Sequence, residues 1–132
     1  MRSAVISFVF LCSLTAVAKA QSNTFASGTV ALLDREIPQM SKAIAETDRA
    51  YFGPALDRVR AFLESWEERE GPTVLERNTA CTDAVTDFLI VGLCKISPPG
   101  SICEPTSFFP KVERNIQQCR AQAAAEASST KK

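Results

Sequence analysis

The 132-residue chain contains no histidine. That absence removes Ser-His-Asp and Cys-His nucleophilic sites, His-dependent phospholipase chemistry and the usual zinc hydrolase centres, since each needs an imidazole as base or ligand. The chain also lacks a Gly-rich phosphate loop and a calcium loop of Asp/Asn about a central glycine. Asn23, Asn78 and Asn115 all lack Ser or Thr two places on, so there is no N-glycosylation acceptor. No two cysteines stand in a CxxC pair, which argues against a zinc site. Strand-like alternation is missing too. Neither sign of charge dominates, with Lys+Arg 15 against Asp+Glu 15, and a near-neutral chain has no electrostatic reason to seek nucleic acid or anionic membrane. The terminal Lys131-Lys132 pair is too small to change this.

What is present begins with the first twenty residues. Arg2, an apolar run from Ala4 to Val17, and small residues at Ala18 and Ala20 follow the plan of a secretory signal peptide, with cleavage expected after Ala20. The run is shorter than the roughly 20 residues a membrane-spanning helix needs, and no hydrophobic tail suggests a lipid anchor. The expected product is secreted, without a membrane anchor, and matures where cysteines oxidise. Losing Arg2 and Lys19 leaves thirteen basic side chains against fifteen acidic ones, a net charge of −2. Residues 21–132 are long enough for a single domain with one modest core.

Cleavage also removes Cys12, which turns five cysteines into four: Cys81, Cys94, Cys103 and Cys119. Four cysteines in a short secreted chain read as two disulfides. Cys81 and Cys94 lie on one predicted helix, about 20 Å apart along its axis, far beyond the roughly 4.4–6.8 Å that a disulfide spans between Cα atoms. An antiparallel hairpin of the last two helices sets Cys81 across from Cys119 and Cys94 beside Cys103. This nested pattern is favoured; the crossed one, Cys81–Cys103 with Cys94–Cys119, stays open if the intervening loop runs back along the helices.

The periodicity predicts an all-α bundle of four to five helices, stapled by these disulfides. Residues 21–28 are expected to be loose. Val30, Leu33, Ile37, Met40 and Ile44 mark one apolar helical face, with Pro38 expected to bend or break it. Phe52-Gly53-Pro54 reads as the end of that segment and the start of the next. The second helix carries Ala55, Leu56, Val59, Phe62, Leu63 and Trp66 on its stripe, sets Asp57, Arg58, Arg60, Glu64, Glu67 and Glu68 toward water, and stops at Gly71-Pro72. A third helix is predicted from about Thr73 to Leu93, apolar nearly all round from Val85 onward and so well buried. After Ser97-Pro98-Pro99-Gly100-Ser101, a loop by composition, the last helix, capped by Thr106 or Ser107, carries Val112, Ile116, Cys119 and Ala123. It is expected to fray over 126–132.

A carboxylate pair is the one acid–base device left, yet Glu64, Glu67, Glu68 and Glu70 lie among arginines on an amphipathic helix and read as a solvated face. The reading is of a non-enzyme without metal or cofactor. Phe62, Trp66, Phe88 and Phe108-Phe109 suit a core better than a ligand cavity, since each sits at helical spacing. The loop is the candidate partner-binding segment: Lys95, Ile96, Pro98, Pro99 and Ile102 on a rigid, disulfide-closed turn would lose little entropy on docking. Equally, its isoleucines could fold back onto the core.

The plan as a whole, a signal peptide, a cysteine-free helical first half and a second half holding Cys81-x12-Cys94-x8-Cys103-x15-Cys119, resembles the albicin/anophensin family of small anopheline mosquito salivary proteins. The resemblance covers essentially all of residues 21–132. It implies a secreted, non-catalytic inhibitor of a host defence cascade that binds a plasma protein complex, foremost the complement alternative-pathway C3 convertase. The contact-activation (kallikrein-kinin) system is the alternative target within the family, and a carrier of a small apolar ligand is the alternative outside it. The cysteine pattern is unlike odorant-binding proteins, which usually have six, and unlike the two short loops of chemosensory proteins.

Overall fold

The computed structural model describes residues 24–101 and 103–130. The leader expected at 1–20 lies outside the described residues, as do Ile102 and Lys131-Lys132. Five helices and a 3₁₀ turn make up the described chain: α1 Phe25–Glu46, the turn Arg49–Tyr51, α2 Phe52–Glu70, α3 Val74–Arg77, α4 Thr79–Ile96 and α5 Pro105–Ser129. There are no strands among the described residues, so the all-α reading holds.

Helix α1 starts earlier than its apolar rhythm suggests. Thr24 Oγ1 accepts from the Ser27 amide at 3.2 Å, and Ser27 Oγ accepts from the Thr24 amide at 3.0 Å. This reciprocal cap satisfies two donors that a helix start would otherwise leave unpaired. Phe25, just inside, is buried against Phe62 and Trp66, with ring centroids 5.7 and 5.6 Å away. Residues 25–28 are therefore helical and anchored rather than loose. Pro38 does not break α1. It costs the hydrogen bond to the Asp34 carbonyl, but both residues lie on the exposed side of the helix. The helix ends at Thr47, left-handed at φ 53°, whose amide donates to Ala43 and Ile44 carbonyls. Gly53 is not a cap at all; it lies inside α2.

Helix α2 buries Phe52, Ala55, Val59 and Trp66, while Leu56, placed on that stripe by the sequence, is 50% exposed. Its stop is as expected: Gly71 at φ 87° donates to the Glu67 carbonyl at 2.8 Å. The predicted third helix is interrupted at Asn78 (φ −119°, ψ 43°). The break is stabilised because the Asn78 side chain donates to the Val74 carbonyl and accepts from Gln122 of α5, both at 2.7 Å. At the other end, α5 runs to Ser129, into the 126–132 stretch expected to fray. Ser128, Ser129 and Thr130 hydroxyls cap carbonyls one turn back, and Gln122 holds Glu126 at 2.9 Å. Pro105 opens α5 at the position where a missing amide costs nothing; Thr106 and Ser107 lie inside the helix and are not caps.

Both disulfides adopt the nested pattern. Cys81–Cys119 has a Cα separation of 4.7 Å and Cys94–Cys103 one of 5.7 Å, so α4 and α5 run antiparallel. Helix α1 packs across this pair, and α2 covers α4. The main core is built from Leu33, Met40, Phe52, Val59, Val85, Phe88, Leu89 and Val112. A second cluster surrounds the buried Cys81–Cys119 bridge with Phe25, Trp66 and Val74. Helices α1 and α4 approach so closely that a Cβ on Gly92 would sit 2.6 Å from Met40 Sδ and 2.8 Å from the Phe52 ring.

Candidate functional site

The described residues of the loop between α4 and α5 are held by hydrogen bonds and a disulfide. Ser97 ends α4, its hydroxyl donating to the Leu93 carbonyl at 2.7 Å. Ser101 then returns its amide to the Pro98 carbonyl at 3.2 Å, closing a four-residue turn with Gly100 at φ 89°. Proline second and a positive-φ glycine third is the signature of a type II turn. The Ser101 hydroxyl reinforces it on the same carbonyl at 2.7 Å. The Cys94–Cys103 bridge closes the base, and Arg49 of the 3₁₀ turn donates to the Ile96 carbonyl at 3.0 Å from outside.

The candidate binding residues divide. Pro98 and Pro99 are exposed at the tip and Lys95 is exposed on the last turn of α4. These three line a hollow of about 260 Å³ together with Pro105 and Phe109. Ile96 faces the other way, half-buried and packed on the main core. The reason is helical register: Ile96 follows Gly92 by four and Leu89 by seven, so it continues the buried face of α4. Ile102 lies outside the described residues. The described part of the loop thus offers a proline tip flanked by a cation, with Ile96 turned onto the core.

Beside the loop, the same end of the bundle opens a cleft of about 470 Å³ between α1, α4 and α5. Ile37, Met40, Ile44, Phe88, Val91, Val112 and Ile116 supply apolar lining, with Ser41, Lys95 and Glu113 among its polar residues. Phe109 lines both the cleft and the loop hollow, and the Lys95 ammonium lies 5.9 Å from its ring centroid. The aromatic residues accordingly play different parts. Trp66 and Phe88 are buried, Phe62 and Phe108 pack on the core, and Phe109 remains partly open at the cleft.

One cluster carries strong electrostatics and was not read from the sequence. Glu36 is fully buried on α1. Arg58 of α2 grips both its carboxylate oxygens, at 2.9 and 2.7 Å, and the Tyr51 hydroxyl donates to it at 3.0 Å. Arg35 adds a donor at 3.1 Å. The Arg58 guanidinium holds the Glu36 carboxyl below its usual range although burial pushes the other way. Burial, helped by the Glu36 charge, pushes the Tyr51 phenol up to about 12. Arg58 was expected to face water; here it is the partner that makes burying Glu36 tolerable. The available signal was position, since Glu36 stands in register between the buried Leu32, Leu33 and Met40. With four donors on two oxygens, this carboxylate is committed to joining α1, the 3₁₀ turn and α2.

Among the described residues no group of three or more His, Cys, Asp or Glu could hold a metal ion, and no helix is long and apolar enough to cross a membrane. Of the charged run expected to face water, Glu64, Glu68 and Glu70 are exposed and Glu67 is half-buried. No protein-family model, curated protein or solved structure matches the chain.

Proposed function

We propose that this chain is a secreted, non-catalytic inhibitor that binds a host plasma protein complex through the loop end of the bundle, with the alternative-pathway C3 convertase as its target. The observation that carries the binding role is the loop itself. A double-proline tip with exposed Lys95 beside it is held by a disulfide, a hydrogen-bonded turn and an arginine clamp. Such a tip has little conformational freedom left to lose when it docks, and rigid protruding loops are where binding residues concentrate. The choice of target rests on the resemblance to the anopheline salivary family.

The test is lysis of susceptible red cells in serum where only the alternative pathway runs. Dose-dependent protection is expected, with no cleavage of complement components, and Pro98→Ala with Pro99→Asp should remove it while leaving the melting temperature unchanged. No protection at micromolar protein, with slowed surface-triggered clotting, would transfer the assignment to the contact system.

A further inference from the structure

The apolar cleft and the loop share one cation, Lys95, whose ammonium has the Phe109 ring at 5.9 Å but, among the described residues, no carboxylate within ion-pair distance. The other two polar residues named in the cleft lining each have a hydrogen-bond partner, although Glu113 keeps its negative charge. The Ser41 hydroxyl donates to the Ile37 carbonyl at 2.9 Å, and Gln117 donates to the Glu113 carboxylate at 2.8 Å. Neighbouring charges are likewise spoken for: Arg49 is on the Ile96 carbonyl, and Lys42 is paired with Glu46 at 3.9 Å.

We propose that the cleft between α1, α4 and α5 binds a small amphipathic anion, its apolar body on Ile37, Met40, Val91 and Ile116 and its carboxylate or sulfonate head on the Lys95 ammonium. The volume, about 470 Å³, lies within the roughly 300–1,000 Å³ of sites that bury small ligands. Water against apolar walls finds few partners, so an apolar body displaces it favourably. The Lys95 ammonium, which has no carboxylate partner among the described residues, then attracts an anionic head group, while Glu113 opposes one on its own side of the cleft. A long-chain fatty acid has this chemistry; a neutral lipid or an amine does not.

The inference is independent of the protein-binding reading and is tested separately, by fluorescence titration of the protein with anilinonaphthalene sulfonate and with uncharged phenylnaphthylamine. One saturable site per chain is expected, emptied by palmitate far better than by hexadecanol. Ser41→Trp, on the exposed lip of α1, should weaken both probes about tenfold or more. Lys95→Glu should weaken only the anionic probe, by about fivefold, the scale of an exposed ion pair. Circular dichroism and melting confirm that each variant is folded; Glu113→Trp on the opposite lip replaces Ser41→Trp if the latter does not fold. Absence of saturable uptake, uptake indifferent to the lip variants, or equal response of both probes to Lys95→Glu overturns the proposal. Serum inhibition without probe uptake would leave the proposed function standing and end this one.

Discussion

Thr29 is fully buried on α1, and its hydroxyl has no hydrogen-bond partner among the described residues. An unsatisfied buried hydroxyl costs about 1–3 kcal/mol, whereas an apolar group of the same shape carries no such penalty. Thr29→Val should therefore raise stability by about 1 kcal/mol, read as a higher midpoint in chemical denaturation. A lower midpoint would mean the hydroxyl has a partner after all. Gly92 makes the opposite case. Alanine there gains about 1 kcal/mol of helix propensity, but its methyl would meet Met40 and the Phe52 ring at 2.6 to 2.8 Å. Overpacking of that kind costs about 1–3 kcal/mol, so Gly92→Ala should lower the melting temperature despite the better helix former. An unchanged or higher value would show that Met40 can swing aside freely.

At the scale of elements, the two disulfides staple the same helix pair but should contribute unequally. Cys81–Cys119 closes a separation of 38 residues and Cys94–Cys103 one of 9. The chain-entropy account gives about 4 kcal/mol for the first and about 2.6 kcal/mol for the second. The first also lies buried at the centre of the second core cluster. Denaturant melts of Cys81→Ala with Cys119→Ala should thus show the larger loss, and Cys94→Ala with Cys103→Ala the smaller; the reverse order would contradict the account. The pairing itself was legible, because helical rise and hairpin antiparallelism leave few geometries. Helix ends were less so. The α1 start depends on a Thr24–Ser27 cap without the usual Glu, and on Phe25 finding Trp66 of α2, distant in sequence. The Asn78 break depends on Gln122 of a helix not adjacent in sequence. Of the candidate site, the loop and its rigidity could be read from Pro-Pro-Gly and two cysteines, and the inward turn of Ile96 follows from register. The cleft could not be read, since it is a space left between three helices.

For the molecule as a whole, the Glu36 cluster should contribute to both the acid and the alkaline shoulder of the pH–stability profile. Because Arg58 lowers the folded carboxyl below 4.5, Glu36 contributes stability that is fully present above that value and is lost as pH falls through its folded titration. Tyr51 works at the other end. Its folded value is about 12 against 10.0, so its contribution is present below 10.0 and lost as pH rises through about 12. Between the shoulders this cluster should leave a plateau. Tyr51 is the single tyrosine of the chain, so tyrosinate absorbance reports it alone and makes the alkaline limb directly observable. The native midpoint should lie near 12 and fall to the ordinary phenol value once the chain is unfolded. Glu36→Gln removes the carboxylate charge but not burial, the first cause, and its amide oxygen can still accept from the phenol. It should move the Tyr51 midpoint only part of the way down. The same change leaves Arg58 without its counter-charge, although that guanidinium is 38% exposed. Its cost at neutral pH should therefore be about 1.5–3 kcal/mol, the range for hydrogen bonds to charged groups, rather than the roughly 3–5 kcal/mol of a fully buried pair. Acid unfolding of the variant should also lose slope below pH 4.5. A native midpoint at 10.0, or an acid limb identical in Glu36→Gln and the parent, would mean that this cluster does not hold α1, the 3₁₀ turn and α2 together in solution.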